Sequence, residues 1–250
     1  MENSTDEHRV ALVTGGTRGI GAAIIEALAV DGISVAAGYS SNLEAADEMA
    51  ANLAAKGHAV SLHQGNVGKP EDCERVVAEV LDQHDHIDYL INNAGITVDK
   101  TVRNMTVENW HAVLRVNLSG AFYMTKAVLE HMIGRSYGRI VNISSVIGET
   151  GSVGQANYAA SKSGLFGLTK SLALETARKG ITVNCVAPGF IDTEMVAAIP
   201  KEALDRVIGN IPMRRLGRPE EIAHAVLFLL HDHAAYITGS VISVNGGIEM

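Results

Sequence analysis

Two side chains that can exchange protons, Tyr158 and Lys162, stand four residues apart. On a helix this spacing places both side chains on one face, one turn apart. A phenol normally loses its proton near pH ~10, and an ammonium within a few Å favours the phenolate and lowers that pKa. A tyrosine tuned in this way can exchange a proton with an alcohol or carbonyl oxygen. The pair gains weight because a hydroxyl, that of Ser145, precedes Tyr158 by thirteen residues.

A glycine-rich segment near the start of the chain follows an apolar run and precedes a helical pattern. Glycines at 15, 19 and 21 allow a sharp turn and let a pyrophosphate approach a helix N-terminus. The spacing differs from G-x-G-x-x-G, and a glycine-rich helix start without a ligand is the alternative. The position after the first strand is where an open α/β sheet binds a dinucleotide. The candidate cofactor residues of this turn are Gly15, Thr17, Arg18, Gly19, Ile20 and Gly21.

The end of the second predicted strand indicates which dinucleotide is bound. NAD sites usually carry an acid there, which binds the ribose 2′-hydroxyl. This chain has Gly38-Tyr39-Ser40-Ser41-Asn42 instead, and the first acid is Glu44. The hydroxyl of Ser40 and the guanidinium of Arg18 suit a 2′-phosphate. The sequence therefore favours NADP (NADPH) over NAD.

The composition is that of a globular protein. The chain has 250 residues, of which 47% are hydrophobic and 19% charged, and a net charge of −8. Such a chain buries enough surface to fold without disulfide or metal staples. The negative charge argues against nucleic acid or anionic lipid as the main partner. Without a run of 18 apolar residues or the apolar centre of a signal peptide, we expect a cytoplasmic protein.

Short apolar segments alternate with longer helical patterns along the whole chain. The predicted strands are 10–13, 34–37, 60–62, 89–91, 139–143, 182–186 and 241–244. The predicted helices are 20–30, 43–55, one that begins at Pro70, about 107–132 with a bend near Asn117, 157–178 and 222–230. Alternation of this kind predicts an α/β fold, a single-domain Rossmann-type doubly wound parallel sheet with helices on both faces. We expect residues 1–8 to form a disordered tail, 9–250 one catalytic domain, and 193–217 a mobile substrate lobe.

Cysteines and histidines give no metal pattern. Cys73 and Cys185 lie far apart in the sequence, which is typical of buried thiols in a reducing compartment. The pairs His84 with His86 and His231 with His233 lie near predicted helix ends, and residues two apart do not share a helix face. We therefore predict no metal site.

In order along the chain, the motifs resemble those of the short-chain dehydrogenase/reductase family. They are Thr14 to Gly21, Asn92-Asn93-Ala94-Gly95, Asn117, Ser145, Tyr158 with Lys162, and Pro188-Gly189. The resemblance covers about Arg9 to Met250. Within the family, the chain is similar to 3-oxoacyl thioester reductases, both those that act on acyl carrier protein in fatty acid synthesis and acetoacetyl-CoA reductases of polyhydroxyalkanoate synthesis.

The resemblance implies a role for each matching residue. Ser145 would hydrogen-bond the substrate carbonyl oxygen, Tyr158 would protonate it, and Lys162 would lower the pKa of Tyr158 and hold the nicotinamide ribose. Asn117 would bend its helix and hold a water in a proton relay. The remaining cofactor contacts would be Asn66 and Val67 at adenine, Asn93, Ala94 and Gly95 along the adenosine side, and Pro188, Gly189, Ile191 and Thr193 against the nicotinamide carboxamide.

Several substrate-side features follow from the same resemblance. Gln155 and Phe190, with Ser145 and Tyr158, are the candidate substrate contacts. Asn66 stands where many relatives have Asp, and Phe190 where some acetoacetyl-CoA reductases have Tyr. Of the neighbours Ser144 and Ser145, only one can point into a cleft at a strand end, and the spacing to Tyr158 favours Ser145.

Two surface expectations concern partners. Arg135 and Lys179 are predicted near the cleft mouth, where they would receive an acidic carrier protein or the CoA phosphates; solvated surface charge is the alternative. Relatives are commonly tetramers, so we expect a homotetramer that pairs the long helices starting near Val107 and Asn157. Residues 242–250 would serve a second interface.

Three functions compete at this point. The first is NADPH-dependent reduction of a 3-oxoacyl thioester carried by acyl carrier protein or CoA. The second keeps the same site but reduces another small ketone, such as a sugar or a steroid. The third is a non-catalytic NADP-binding subunit, which the full set of catalytic residue types argues against.

Overall fold

The computed structural model describes residues 8–197 and 200–250. These residues form a seven-stranded sheet in which every pairing is parallel, in the order β3-β2-β1-β4-β5-β6-β7. The strands are β1 (Val10–Thr14), β2 (Ser34–Tyr39), β3 (Val60–Gln64), β4 (Tyr89–Asn92), β5 (Gly138–Ile143), β6 (Ile181–Pro188) and β7 (Val241–Val244). All carboxyl ends therefore meet at one edge, which is where such sheets bind ligands.

Helices connect the strands on both faces of the sheet. They are α1 (Gly19–Val30), α2 (Leu43–Ala55), α3 (Pro70–His84), α4 (Val107–Leu114), α5 (Gly120–Arg135), α6 (Ile147–Thr150), α7 (Ala156–Thr176), α8 (Glu194–Ala197), α9 (Lys201–Asn210) and α10 (Pro219–Leu230). Single 3-10 turns follow α7 and α10, at Ala177–Lys179 and Asp232–Ala234. The predicted doubly wound α/β fold is confirmed.

The core has two parts because each strand presents alternate residues to opposite faces. Ala11 and Val13 of β1 pack with α1, α2 and α10. Val10 and Leu12 pack with α3, α5 and α7 on the other face. Strands covered on both sides need continuous apolar sequence, and this explains why the central strands were predictable as uninterrupted runs.

The bend expected near Asn117 is a π-helical turn. Arg115–Ser119 makes that turn between α4 and α5, so the chain stays helical from Val107 to Arg135. A π turn inserts one extra residue into an α-helix and is frequent at functional sites. Asn117 lies in the turn and is 2% exposed, so the distortion carries a buried polar side chain inward.

Helix boundaries differ from prediction where capping decides them. The last long helix starts at Pro219 rather than Ile222, with Glu220 and Glu221 in its first turn. Proline at the first helical position and acids in the first turn are both favourable there, so the sequence carried a signal that the apolar pattern alone missed. Of the predicted tail, residues 1–7 lie outside the described residues, as do 198 and 199 of the predicted lobe.

Candidate active site

The glycine turn after β1 adopts conformations that side chains would obstruct. Gly15 and Gly19 have φ values of +62° and +52°. A Cβ on Gly15 would lie 2.9 Å from the Cα of Ala94, and one on Gly21 would lie 2.2 Å from the carbonyl oxygen of Gly15. Positive φ at Gly15 and Gly19, and backbone this close to Gly15 and Gly21, favour glycine at all three positions. Thr17 and Ile20 complete the turn and are half-buried.

One hydroxyl fixes this turn to the end of β4. Thr14 Oγ1 accepts hydrogen bonds from the backbone N–H groups of Asn93 (3.0 Å) and Ala94 (3.1 Å) and donates to the Ile91 carbonyl (3.3 Å). The Asn93 side-chain amide donates to the carbonyls of Thr14 (3.0 Å) and Gly15 (2.8 Å). Asn93 therefore braces the turn from within the protein, a contact that the sequence did not predict.

The start of α1 fits a dinucleotide pyrophosphate. Its capping residue, Arg18, is extended and makes no side-chain hydrogen bond to the helix, and the first turn, which lies wholly within the described residues, has no acid. The helix N-terminus therefore offers backbone donors and a partial positive charge. With no Cβ at Gly15, Gly19 or Gly21, an anion can approach this backbone closely.

The loop after β2 has no acid at the strand end. Ser40 is exposed, and its carbonyl accepts from the Gln64 side chain at 3.2 Å. Asn42 caps α2 by accepting from the Ala45 N–H at 3.1 Å. The guanidinium of Arg18 lies 3.5 Å from Glu194, and both side chains are mostly exposed, so this ion pair is weak. Arg18 can therefore exchange this partner for a phosphate.

The loop after β3 is a tightly bonded turn. Asn66 accepts from the Gly68 N–H through Oδ1 at 2.9 Å, and its own N–H donates to the Asp72 carboxylate at 2.8 Å. The hydrogen bond from the Asn66 N–H, together with the charge of Arg75, lowers the pKa of Asp72. Val67 packs against Gly120, where a Cβ would meet it at 2.8 Å. Both predicted adenine contacts thus lie at the same edge of the sheet as the glycine turn.

Two neighbouring serines after β5 point in different directions. Ser144 donates to the carbonyl of Lys162 at 2.8 Å and is buried, so it ties α7 to the end of β5. Ser145, 8% exposed, accepts from the Ile147 N–H at 3.2 Å and hydrogen-bonds the Tyr158 side chain. The structure therefore brings together the hydroxyls of Ser145 and Tyr158.

The side chain of Lys162 extends from α7 toward the ring of Tyr158. Its Nζ donates to the carbonyl oxygen of Ile143 at 2.7 Å and lies 5.6 Å from the centre of the Tyr158 ring. Burial lowers the pKa of Lys162 to about 8, and the nearby thiol of Cys185 opposes that effect. The ammonium is thus costly to bury and ready to lose its proton near neutral pH.

Burial, rather than charge, dominates the pKa of Tyr158 in the protein. Burial raises this pKa; the hydrogen bond with Ser145 lowers it, and the negative charge of Asp99 raises it. Lys162 faces the ring, with its Nζ 5.6 Å from the ring centre. The lowering of the Tyr158 pKa expected from sequence is therefore not achieved by these protein groups alone.

Asn117 links three segments of the site. Its amide donates to the Ile96 carbonyl (3.0 Å) and to Ser161 Oγ (3.1 Å), and its Oδ1 accepts from the Ile96 N–H (2.8 Å). Ser161 in turn donates to the Tyr158 carbonyl at 2.7 Å. A Cβ on Gly95 would lie within 3.6 Å of both Asn117 Oδ1 and Lys162 Nζ, so these two polar groups border the same small space.

The residues predicted to contact the nicotinamide carboxamide lie at the end of β6 and directly after it. The Pro188 carbonyl accepts from the Val146 N–H at 2.8 Å, and Gly189 lies so close to Asn245 that a Cβ would be 2.8 Å from its Cα. Ile191 is buried. Thr193 reaches the glycine turn, because a Cβ on Gly19 would meet its methyl group at 3.3 Å. Residues 188–193 thus extend from the end of β6, beside Val146, to the glycine turn after β1.

The predicted substrate contacts Phe190 and Gln155 lie on two separate segments, after β6 and just before α7. Phe190 is half-buried and lines a cavity of about 360 Å³ together with Ile211 and Met213. Gln155, at the start of α7, donates to Asp99 at 3.1 Å. The contact of both residues with a substrate stays a prediction.

The expected position of two cations is wrong. Arg135 ends α5 and lies 3.5 Å from Asp88, just before β4, and Lys179 lies two residues before β6. Both cations therefore lie at the edge of the sheet where the strands begin. Ser145 lies at the opposite edge, where the strands end. The reason is helix direction, since a crossover helix runs antiparallel to the strands and ends at their starting edge.

Three further findings concern metal ligands, membrane spans and thiols. No three His, Cys, Asp or Glu side chains among the described residues could together hold a metal ion. Within residues 8–197 and 200–250, no helix is long and apolar enough to cross a bilayer. Both cysteines are buried, which raises the pKa of Cys73 to about 11 and that of Cys185 to about 12.

Comparison with known proteins agrees with this geometry. Residues 15–249 match a family model described as enoyl-(acyl carrier protein) reductase. The chain is 51% identical over 240 residues to an acetoacetyl-CoA reductase of Shinella zoogloeoides, covering 96% of this chain and 98% of that protein. It is 48% identical over 243 residues to 3-oxoacyl-[acyl-carrier-protein] reductase FabG of Aquifex aeolicus, covering 96% and 97%. It is 45% identical over 244 residues to FabG of Escherichia coli, covering 98% of each.

Fold, glycine turn and catalytic residue types together with these matches define the class. The chain belongs to the short-chain dehydrogenase/reductase family. A nicotinamide cofactor follows from that membership, and the open start of α1 fits its pyrophosphate.

Proposed function

We propose that this protein reduces 3-oxoacyl thioesters, carried by CoA or acyl carrier protein, to 3-hydroxyacyl thioesters with NADPH. The observation that carries the proposal is the convergence of Ser145, Tyr158 and Lys162 beside a glycine turn that fits a dinucleotide. The names of the relatives supply the substrate class, since they are acetoacetyl-CoA and 3-oxoacyl carrier-protein reductases.

The chemistry follows from where negative charge develops. A nicotinamide dinucleotide held at the glycine turn would supply the hydride for the substrate's carbonyl carbon. Ser145 and Tyr158 direct hydroxyl donors at the carbonyl oxygen, where negative charge grows, and Tyr158 gives that oxygen its proton. Donors that are already positioned need little reorganisation during the reaction.

Lys162 has two functions in this proposal. Its ammonium places positive charge beside the Tyr158 ring as the phenolate forms, and it donates hydrogen bonds at the ribose side of the site. Asn117, which borders the same space near Gly95, positions the water through which the proton on Tyr158 is replaced.

The preference for NADPH rests on the end of β2. A carboxylate there would repel a 2′-phosphate, and the strand is followed by Ser40, Ser41 and Asn42 instead. Arg18 is exposed at the start of α1 and is held only by a weak ion pair. A charge-assisted contact to the phosphate should favour NADPH over NADH by about tenfold or more in kcat/KM.

Steady-state kinetics test the proposal directly. NADPH oxidation is followed with acetoacetyl-CoA, with a longer 3-oxoacyl carrier protein, and with a panel of unrelated ketones, each repeated with NADH. We expect rapid turnover of the thioesters with NADPH. Turnover of an unrelated ketone without turnover of either thioester would overturn the proposal.

Enoyl thioesters are a second substrate class to test, because the matching family model is described as an enoyl-(acyl carrier protein) reductase. An enoyl thioester, crotonyl-CoA, is tested beside acetoacetyl-CoA under the same conditions. A ketone requires proton donation to oxygen, which Ser145 and Tyr158 are placed to provide, so we expect acetoacetyl-CoA to be the better substrate. Faster reduction of crotonyl-CoA would reverse the assignment.

We also propose a homotetramer. Gly167 on α7 would permit close contact, since a Cβ there would meet nothing within 4 Å, and exposed apolar side chains such as Phe122 (44%) and Phe228 (54%) would be covered in an assembly. Light scattering at micromolar concentration should give four times the chain mass. A monomer there would reject this assembly.

A further inference from the structure

A buried hydroxyl, that of Ser161, joins the π turn to the helix that carries the proposed proton donor. Ser161 is 0% exposed and lies on α7, three residues after Tyr158 and directly before Lys162. It has no part in the proposed hydride and proton transfer. Its two side-chain hydrogen bonds nevertheless connect Asn117 of the π turn with the backbone of Tyr158.

The direction of both hydrogen bonds is fixed by the chemistry of the groups. The Tyr158 carbonyl, 2.7 Å from Ser161 Oγ, can only accept, so the hydroxyl donates its one proton there. In the contact with the Asn117 side chain, at 3.1 Å, Ser161 must therefore be the acceptor. Ser161 consequently requires an N–H group of Asn117 on the side that faces it.

The same reasoning orients the Asn117 amide. The Ile96 N–H can only donate and the Ile96 carbonyl can only accept, so Oδ1 faces the first at 2.8 Å and Nδ2 faces the second at 3.0 Å. The second proton of Nδ2 goes to Ser161. Oδ1 can accept two hydrogen bonds, and among the residues that the structure describes Ile96 alone donates to it. One acceptor position on Oδ1 is therefore open to a water.

This acceptor borders the space in which the proton on Tyr158 is proposed to be replaced. A Cβ on Gly95 would lie 3.5 Å from Asn117 Oδ1 and 3.6 Å from Lys162 Nζ. Without the Ser161 hydroxyl, one N–H of Asn117 would lose its partner in a side chain that is 2% exposed. A buried donor without a partner is costly, so the amide would rotate or the π turn would shift. Either movement displaces Oδ1 from the space beside Lys162.

We propose that Ser161 is a positioning residue, whose hydroxyl holds the Asn117 amide so that Oδ1 stays beside Lys162 and accepts from the water that returns a solvent proton to Tyr158. The inference rests on the proposed reductase function and deepens it. Ser161 acts through Asn117 and needs no contact with substrate or nucleotide.

Isotope effects on turnover separate this role from a purely structural one. Reduction of acetoacetyl-CoA by Ser161→Ala and by the wild type is compared in H₂O and D₂O, and with NADPH deuterated at the transferred position. We expect kcat to fall by about 5- to 30-fold, the effect of one buried unpaired donor, with an unchanged KM for NADPH. The solvent isotope effect on kcat should rise and the effect of the transferred deuterium should fall, because proton resupply becomes the slower step.

Ser161→Cys provides a second variant if alanine disturbs folding. Its sulfur is a weaker acceptor than the hydroxyl, so its kcat and its solvent isotope effect should lie between those of the wild type and Ser161→Ala. A Ser161→Cys enzyme with the kcat and both isotope effects of the wild type would contradict the proposal.

Thr169→Val is the matched control. Thr169 is 0% exposed on α7, about two turns beyond Ser161, and accepts from the Asn142 amide at 2.9 Å. The variant therefore loses the same kind of bond away from the site. The free energy of unfolding in urea should fall similarly in Thr169→Val and Ser161→Ala, whereas kcat and the isotope effects should change only in Ser161→Ala.

A double-mutant cycle with Asn117→Ala tests whether Ser161 acts through Asn117. In the Asn117→Ala background, Ser161→Ala should change kcat by less than about twofold. An equal loss in both backgrounds, or a kcat of Ser161→Ala within about twofold of the wild type, would overturn the inference while the reductase stands. Absence of acetoacetyl-CoA turnover by the wild type would overturn the proposed function as well.

Discussion

The Nζ of Lys162 lies 5.6 Å from the centre of the Tyr158 ring and 2.7 Å from the carbonyl oxygen of Ile143. The lysine therefore faces the ring, and a backbone carbonyl holds it there. Burial raises the pKa of Tyr158 and lowers that of Lys162 to about 8, so at neutral pH the tyrosine is neutral and the lysine still keeps its proton. A neutral tyrosine is the form that donates a proton, which suits reduction rather than oxidation.

Removal of the Tyr158 hydroxyl should nearly abolish reduction. Tyr158→Phe removes the proton donor and one of two donors to the developing oxyanion, which costs about 3–4 kcal/mol of barrier or roughly 10² to 10³ in rate. NADPH should still bind, as measured by its fluorescence. Tyr236→Phe, at a fully exposed position, is the control. More than a tenth of the wild-type rate in Tyr158→Phe would remove this residue from its proposed role.

Lys162 should give stability a distinctive pH dependence. Its pKa is about 8 in the folded protein against 10.5 when exposed. Between these values the unfolded chain binds a proton that the folded protein does not, so this residue's contribution to stability rises with pH across that window. At neutral pH the buried ammonium costs roughly 3 kcal/mol.

Urea unfolding at several pH values measures the effect. The free energy of unfolding of the wild type, minus that of Lys162→Met, should rise by roughly 2 kcal/mol from about pH 8 to pH 10. The same difference for Lys170→Met, at an exposed position on α7, should stay flat. A flat difference for Lys162→Met would mean that the lysine is solvated.

Thr14 should prove necessary for nucleotide binding although it is not predicted to touch the nucleotide. Thr14→Val keeps the shape but removes three hydrogen bonds, which leaves the half-buried Ala94 N–H without this partner and the Asn93 N–H with only the Ile91 carbonyl. We expect a loss of about 2–3 kcal/mol of stability and weaker NADPH binding. Thr14→Ser, which retains the hydroxyl, should behave like the wild type. Weaker NADPH binding in Thr14→Ser, with normal binding in Thr14→Val, would assign the role to the methyl group instead.

Gly21 should tolerate no side chain. A Cβ there would lie 2.2 Å from the Gly15 carbonyl oxygen and 2.6 Å from Asn93 Nδ2, so Gly21→Ala must displace the turn that receives the pyrophosphate. NADPH binding should be lost in a calorimetric titration. Gly32→Ala introduces strain at a φ of +79° but meets nothing within 4 Å, so it should lower stability by about 1 kcal/mol and leave binding intact. Normal binding by Gly21→Ala would show that the turn adapts.

The sequence alone was sufficient to locate side chains whose position depends on residue type and on spacing within one helix or turn. The four-residue spacing of Tyr158 and Lys162 and the glycines of the turn place these groups without knowledge of the rest of the fold. The bend near Asn117 was also predictable, though its form as a π turn was not. The positions of Arg135 and Lys179 were missed, and the direction of the crossover helices would have corrected them.

Other features depend on contacts between distant segments. Nothing in the sequence marks Thr14 as the hydroxyl that joins the glycine turn to β4, or Ser161 as the link between Asn117 and the Tyr158 backbone. The pKa of Tyr158 is a balance between burial and neighbouring groups, and that balance needs coordinates. Candidate site residues could therefore be named from the sequence, whereas the direction in which their surroundings shift their pKa values could not.

The π turn at Arg115–Ser119 also restricts which insertions and deletions the gene can accept. Loss of one residue there would restore a regular helix and rotate α5 by roughly 100°. Met124, Val128 and Met132 would then leave the core face that they share with α3. Descendants of this sequence can therefore change loop lengths elsewhere, but the number of residues between Asn117 and the buried face of α5 must stay constant.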